Sequence, residues 1–273
     1  MQSKLISESE IQEMLQFTSV SHAAAWLKRT PEYAKAWADL DENSLHRGQI
    51  EKLLKASIFK DFSKIYQFAN PEQRKFLDLY SRRYEIRVLK EIMTNLFDHK
   101  STDAVDVSPY CDFFRRHSKL DLDRLTACTT MDEFINTLKG NEFYVPLSRI
   151  QNHDTALLFD YGMALDLYYF SMIWNVRKKL FSGKDLEQIT TAYGEKFDML
   201  NLQFISRSKH YFSMAPADIY ALLIPMNYKL KKEEITALVE ASTREEAQQI
   251  FRKTYYGKKY DHLSAHNLEE FYN

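Results

Sequence analysis

Three small groups of residues in this 273-residue chain have types and spacings that invite chemistry. Ser182-Gly183-Lys184-Asp185 holds the Gly-Lys pair of a phosphate-cradling loop, but that loop needs closely spaced glycines before Lys-Ser/Thr, and no second glycine lies upstream at the required distance. ATP binding by this chain is therefore not expected. His262 and His266 are four positions apart and can share a helix face as metal ligands, yet no Glu follows His262 and no third ligand is indicated. A metal-dependent all-α hydrolase is thus the least supported alternative. Asp160 and Asp166 lie in the apolar run Leu157 to Trp174, but six positions of helix put them on different faces, where they keep the helix amphipathic rather than pair as acid and base. No catalytic residue, metal or cofactor is expected.

The elements that would carry such residues are helical. Hydrophobic residues make up 45% of the chain and charged ones 27%, with six Gly and six Pro, which is ample core material and little turn material. A net charge of −1 argues against nucleic acid as the main partner, since phosphate binding rests on a basic excess. A local basic patch is carried by Arg74, Lys75, Arg82, Arg83, Arg87 and Lys90. The first turns hold Lys4, Glu8, Glu10 and Glu13 where a secretory signal would be apolar. The longest charge-free apolar stretches, Leu167 to Val176 and Ile219 to Tyr228, are about half of what a bilayer requires. A cytoplasmic protein is expected, reaching a membrane only by docking on another protein. Cys111 and Cys128 read as reduced packing cysteines. The 17 Tyr and 18 Phe suit helix packing, and a fraction of them suits protein interfaces.

The chain also repeats itself. Ile6, Glu10, Ile11, Met14, Leu15, Ala23, Trp26, Leu27, Lys28 and Thr30 return as Leu230, Glu234, Ile235, Leu238, Val239, Ala247, Ile250, Phe251, Arg252 and Thr254, each pair 224 positions apart. A weaker middle copy, 111 positions after the first, holds Leu122, Leu125, Thr129, Thr130, Phe134, Leu138 and Lys139. Each copy places apolar residues at i, i+3 and i+4, then a Ser/Thr pair, then a second stripe: a helix, an N-cap and a helix. Ser242 or Thr243 can cap the last of these, and Thr243 with Glu246 has capping-box spacing. A hairpin of this size must lean on neighbours, because burying one Leu or Ile is worth only ~1.5 to 3 kcal/mol while ordering each residue costs about 1 to 2 kcal/mol.

A second repeated signal lies between the hairpins. Tyr84-Glu85-Ile86-Arg87-Val88-Leu89 with Ile92 answers Phe197-Asp198-Met199-Leu200-Asn201-Leu202 with Ile205, at an offset of 113. Residues 86, 89, 92 and 93 form the core stripe of a long helix. Two further patterns are Leu-Lys-x-Thr-x-x-Tyr, from Leu27 to Tyr33, and Arg-Tyr-Glu-Ile-x-x-Leu, from Arg83 to Leu89. With the passage Arg207-Ser208-Lys209, Ala217-Asp218-Ile219 and Leu222-Leu223-Ile224-Pro225, they resemble the rotor-connector subunit of V-type and A-type rotary ATPases. That subunit is called C in bacterial and archaeal complexes and d in eukaryotic ones.

The resemblance implies an all-α funnel of three pseudo-repeated units, residues 1–108, 109–228 and 229–273. An offset of about 112 puts a third long-helix motif beyond Asn273, so the third unit reads as incomplete. It also implies a non-catalytic central-stalk connector between the central shaft and the membrane proteolipid ring, serving ATP-driven proton or sodium transport. The candidate shaft-binding residues are Arg82, Arg87 and Lys90 in one unit and Asn201 and Gln203 in the next. A general helical-repeat scaffold of another assembly is the alternative. In outline, the pattern predicts a first hairpin at 8–40, a helix near 48–68, and a long helix opened by Asn70-Pro71 and running to about 97. A polar linker at 99–108 and a middle hairpin at 109–150 follow. Long helices near 154–181 and 184–210 come next, then the third hairpin and a frayed end.

Overall fold

The computed structural model describes residues 6–31, 33, 34, 37, 38, 41, 44–98, 111–151 and 156–260, without the side chains of 111–113. His262, His266, the 99–108 linker and the last dozen residues lie outside that set. Among the described residues there are fourteen α-helices and no strand, as the composition and periodicity predict. None of these helices is long and apolar enough to cross a membrane.

The chain packs as two compact units. One comprises the described residues of Met1–Ala69 and Asp106–Lys119. Here the hairpin of α1 (Glu8–Met14) and α2 (Val20–Arg29) is followed by α3 (Arg47–Phe68) and, from the later segment, α5 (Cys111–His117). Ala24, Leu27, Trp37 and Ile50 form its core, with Met14, Trp26 and Leu53 against them. The stripe of α1 is only half used, however: Ile11 is 42% exposed and Leu15 68%.

The other unit comprises the described residues of Asn70–Val105 and Leu120–Asn273. It is built on three long helices, α4 (Pro71–Phe97), α9 (Leu158–Leu180) and α10 (Gly183–His210). Asn70 accepts from the Gln73 amide and Gln73 accepts in return from the Asn70 amide, with Pro71 in the first turn, where its missing amide costs nothing. Ile86, Leu89, Ile92 and Met93 are all buried, as their spacing predicts. Phe197 ties α10 to α9, its ring 5.1 Å from Phe170 and 5.7 Å from Trp174. Ser182-Gly183-Lys184 opens α10, with Gly183 at φ +53°, a conformation that suits glycine. The mid-helix Gly194 is also required, because a Cβ there would collide with the side chain of Tyr228, only 2.7 Å from its Cβ.

Short helices dress this frame. The pairs α6 (Leu122–Thr126) with α7 (Met131–Thr137) and α12 (Lys232–Glu240) with α13 (Arg244–Lys253) share one local arrangement. Thr130 accepts from the Glu133 amide while Glu133 accepts from the amide of Thr129. Thr243 accepts from the Glu246 amide while Glu246 accepts from that of Ser242. Ser19 caps α2 in the same way, through the His22 amide. The remaining helices are α8 (Tyr144–Gln151), α11 (Pro216–Leu222) and α14 (Tyr255–Lys259). Cys128 is a buried thiol outside any disulfide, and it donates to the carbonyl of Arg124.

The third hairpin is fixed on the second half of α10. Ile235, Leu238, Val239 and Phe251 bury against Met199, Leu202 and Ile205. Arg207-Ser208-Lys209 lies in the last turns of α10, within the helix predicted near 184–210. From there the Lys209 ammonium donates to the carbonyls of Val239 and Ala241 at 2.5 and 2.6 Å, satisfying the C-terminal end of α12.

Candidate partner-docking face

The candidate residues stand on α4 and α10, and the packing of these helices sorts them. Arg82 is engaged inside the unit, 2.7 Å from Glu142 and 3.3 Å from Glu85. Lys90 bonds Asp166 of α9 at 2.6 Å. Arg87 is exposed, and among the described residues it forms no hydrogen bond or ion pair. Asn201 is wholly buried: its amide donates to the carbonyl of Ile224 at 3.0 Å and accepts from the Ile224 amide at 2.8 Å. Its side chain is thus an internal brace, satisfied at both ends by the backbone. Gln203, two positions on, is half-buried and turned to the other side of α10.

Each of the two helices carries a stripe of the same spacing. Arg83, Arg87 and Lys90 are spaced i, i+4 and i+7 on α4, and Lys196, Leu200 and Gln203 have the same spacing on α10. Arg83 lies over the rings of Tyr80 and Tyr84, 5.1 and 5.6 Å from their centroids, and donates to the Tyr80 hydroxyl at 2.7 Å. Burial holds the Lys196 ammonium below its ordinary pKa and the nearby Arg83 charge adds to this, while Asp166 opposes both. From sequence, Arg83 is one member of a basic patch, and Lys196 does not stand out. The signal that could have found both is the 113-position offset, which also relates Tyr80 to Tyr193.

The long helices are also joined by tyrosines. Tyr169 and Tyr193, both buried, are hydrogen-bonded to each other, and burial pushes both phenols upward. A phenol raised in the folded state favours the protonated chain, so its contribution is complete below about pH 10 and falls as pH rises further. Spectrophotometric titration is accordingly expected to show a group of tyrosines that ionises only above the ordinary range, together with loss of helix. Ionisation of all tyrosines at the ordinary value in the folded protein would contradict this packing. On α9, Asp160 accepts from the Leu157 amide at the start of the helix, so Asp160 and Asp166 serve separate places and do not pair.

A family model described as the ATP synthase (C/AC39) subunit matches residues 1–272. The chain belongs to that family. The chain is 21% identical over 243 residues to the C subunit of the A-type ATP synthase of Methanothermobacter thermautotrophicus, with 87% of this chain and 59% of the relative aligned. The chain thus spans less than two thirds of that relative's length. The aromatic clusters divide by exposure: Tyr169 is interior, whereas Tyr211 and Phe212, just after α10, are each 66% exposed.

Proposed function

We propose that this chain is a non-catalytic connector of the central stalk of a V/A-type rotary ATPase. It joins the central shaft to the membrane proteolipid ring, so that ATP-driven proton or sodium transport is coupled through it. It sits at the membrane through the complex rather than by a span of its own. The observation that carries this reading is the match of the family over residues 1–272. The connector's task is to carry torque, and long helices cross-braced by Lys90–Asp166 and by the Phe197 ring cluster supply stiffness. In this reading the repeats at 1–108, 109–228 and 229–273 are three related units, and the α4 and α10 stripes with Arg87 and Gln203 form the shaft-docking surface.

The packing selects the variant that tests it. Reversing Arg82 or Lys90 would set a carboxylate against Glu142 or Asp166 and disturb the fold itself. Arg87→Glu avoids this. It is expected to weaken binding to purified shaft subunits by about fivefold at low salt and less at high salt, with the helix signal in circular dichroism unchanged. Unchanged affinity at low salt would remove the α4 face from the docking surface.

A further inference from the structure

A cavity of about 150 Å³ opens between the second half of α10 and the third hairpin. Its floor is apolar, made by Leu202 and Ile205 of α10, Leu238 of α12 and Phe251 of α13, all members of the cluster that fixes this hairpin. Its rim is basic: Lys209, His210 and Arg244 line it, and among the described residues no carboxylate does. The Lys209 ammonium is held by the carbonyls of Val239 and Ala241, so one charge of the rim is fixed in place. Apolar space of this size, walled by leucine, isoleucine and phenylalanine, accommodates a benzene ring.

Beside the mouth the chain presents two rings. The Tyr211 ring stands edge-on to that of His210, with centroids 6.0 Å apart, and Tyr211 and Phe212 are both exposed. A tight turn holds them there. The Tyr211 amide donates to the Arg207 carbonyl and the Met214 amide to that of Ser208, while Ser213 between them has φ +49°, a left-handed conformation uncommon for a residue with a Cβ. Met214 then packs on the same core cluster. An anchor cavity, exposed aromatic area next to it and charges at its edge are the make-up of a protein-recognition site.

We infer that this cavity docks a segment of a partner protein that inserts one Phe side chain and carries acidic residues on either side of it. The volume sets the anchor at one ring, and the rim, with basic side chains and no carboxylate to repel, sets the charge of the flanks. Tyr211 and Phe212 extend the contact area beyond the cavity, which suits a peptide segment better than a free small molecule. The site is separate from the Arg87 stripe and does not depend on the shaft-docking reading.

The probe is the peptide acetyl-Glu-Glu-Phe-Glu-Glu-amide, titrated calorimetrically into the full chain. The wild type is expected to bind it at low salt with a Kd below roughly 1 mM. Replacing the Phe of the peptide by Ala is expected to weaken binding by about tenfold or more, and replacing its Glu residues by Lys by about fivefold or more. Ala247→Leu puts a larger side chain into the cavity from α13, and is expected to abolish binding while the Tm stays at or above that of the wild type. Absence of wild-type binding, equal affinity for the Phe and Ala peptides, equal affinity for the acidic and basic peptides, or undiminished binding by a folded Ala247→Leu each overturns the inference. Should Ala247→Leu lose its helix signal, Arg244→Gln, an exposed change at the rim, is expected to weaken the acidic peptide about threefold, and unchanged affinity overturns the inference. Self-association of the wild type in sedimentation velocity that Ala247→Leu removes would place a second copy of the chain in the cavity, and overturns it as well.

Discussion

Asp198→Ala is expected to be the most damaging polar substitution in the chain, lowering the free energy of unfolding by about 3 to 5 kcal/mol. The carboxylate is wholly buried and accepts four hydrogen bonds. One oxygen receives the Tyr228 amide at 3.0 Å; the other receives the amides of Lys229 and Leu230, at 2.6 and 2.9 Å, and the Tyr256 hydroxyl at 2.8 Å. Three successive amides just ahead of α12 form a positive concavity that makes a buried negative charge tolerable. Alanine would leave all four donors without a partner, and the segment they anchor carries the third hairpin. Burial, and after it the Asp198 charge, also keep the Tyr256 phenol protonated well above the usual tyrosine range. Asp198→Asn retains an acceptor for up to three of the donors but presents an N–H₂ to the Tyr228 amide, so it should cost about 1 to 3 kcal/mol. Urea unfolding should give the order Asp, Asn, Ala, with amide exchange at 228–230 accelerated most. Equal stability of the three proteins would show that the clamp contributes nothing.

Gly257→Ala should have a comparable effect through sterics alone, about 3 kcal/mol. Helices α13 and α14 meet at Thr254, whose hydroxyl donates to the Phe251 carbonyl at 2.7 Å and accepts from the Gly257 amide at 3.1 Å. The chain turns so tightly there that a Cβ on Gly257 would collide with the Phe251 oxygen and stand 2.7 Å from the Arg252 Cα. Both obstacles are backbone, so no side-chain rotation can relieve the contact, and α14 has to move away from α13. Tyr256, which bonds Asp198, would move with it. Thermal unfolding should therefore show a large loss for Gly257→Ala, and the loss should be less than additive with that of Asp198→Ala, because the two act on one contact. Full additivity would mean that the glycine and the carboxylate hold the hairpin independently.

Local chemistry was the legible part of this fold. Asn70-Pro71 announced α4, Thr130 and Thr243 announced the second helices of their hairpins, and the 86, 89, 92, 93 spacing announced a buried stripe. Each depends on neighbours within one or two turns. The roles of polar residues were less legible because their partners are distant in sequence. Asn201 pairs with the backbone of Ile224, 23 positions away, and Lys90 with Asp166, 76 positions away. Nothing in the types Asn or Lys distinguishes an internal brace from a surface contact. The same holds for apolar stripes: Ile11 and Leu15 match Ile235 and Val239 in the sequence, yet the first pair is exposed and the second is buried in the cluster of Leu202 and Ile205. Burial depends on what packs above a helix, which its own periodicity does not specify.

The central claim, that this chain links the shaft of a rotary ATPase to its membrane ring, is tested most directly by co-purification with the shaft subunits and the detergent-solubilised proteolipid ring from the same source. The account predicts that the chain is retained by both and bridges them into one complex. Retention by neither, with the chain folded and helical in the same buffer, would contradict it.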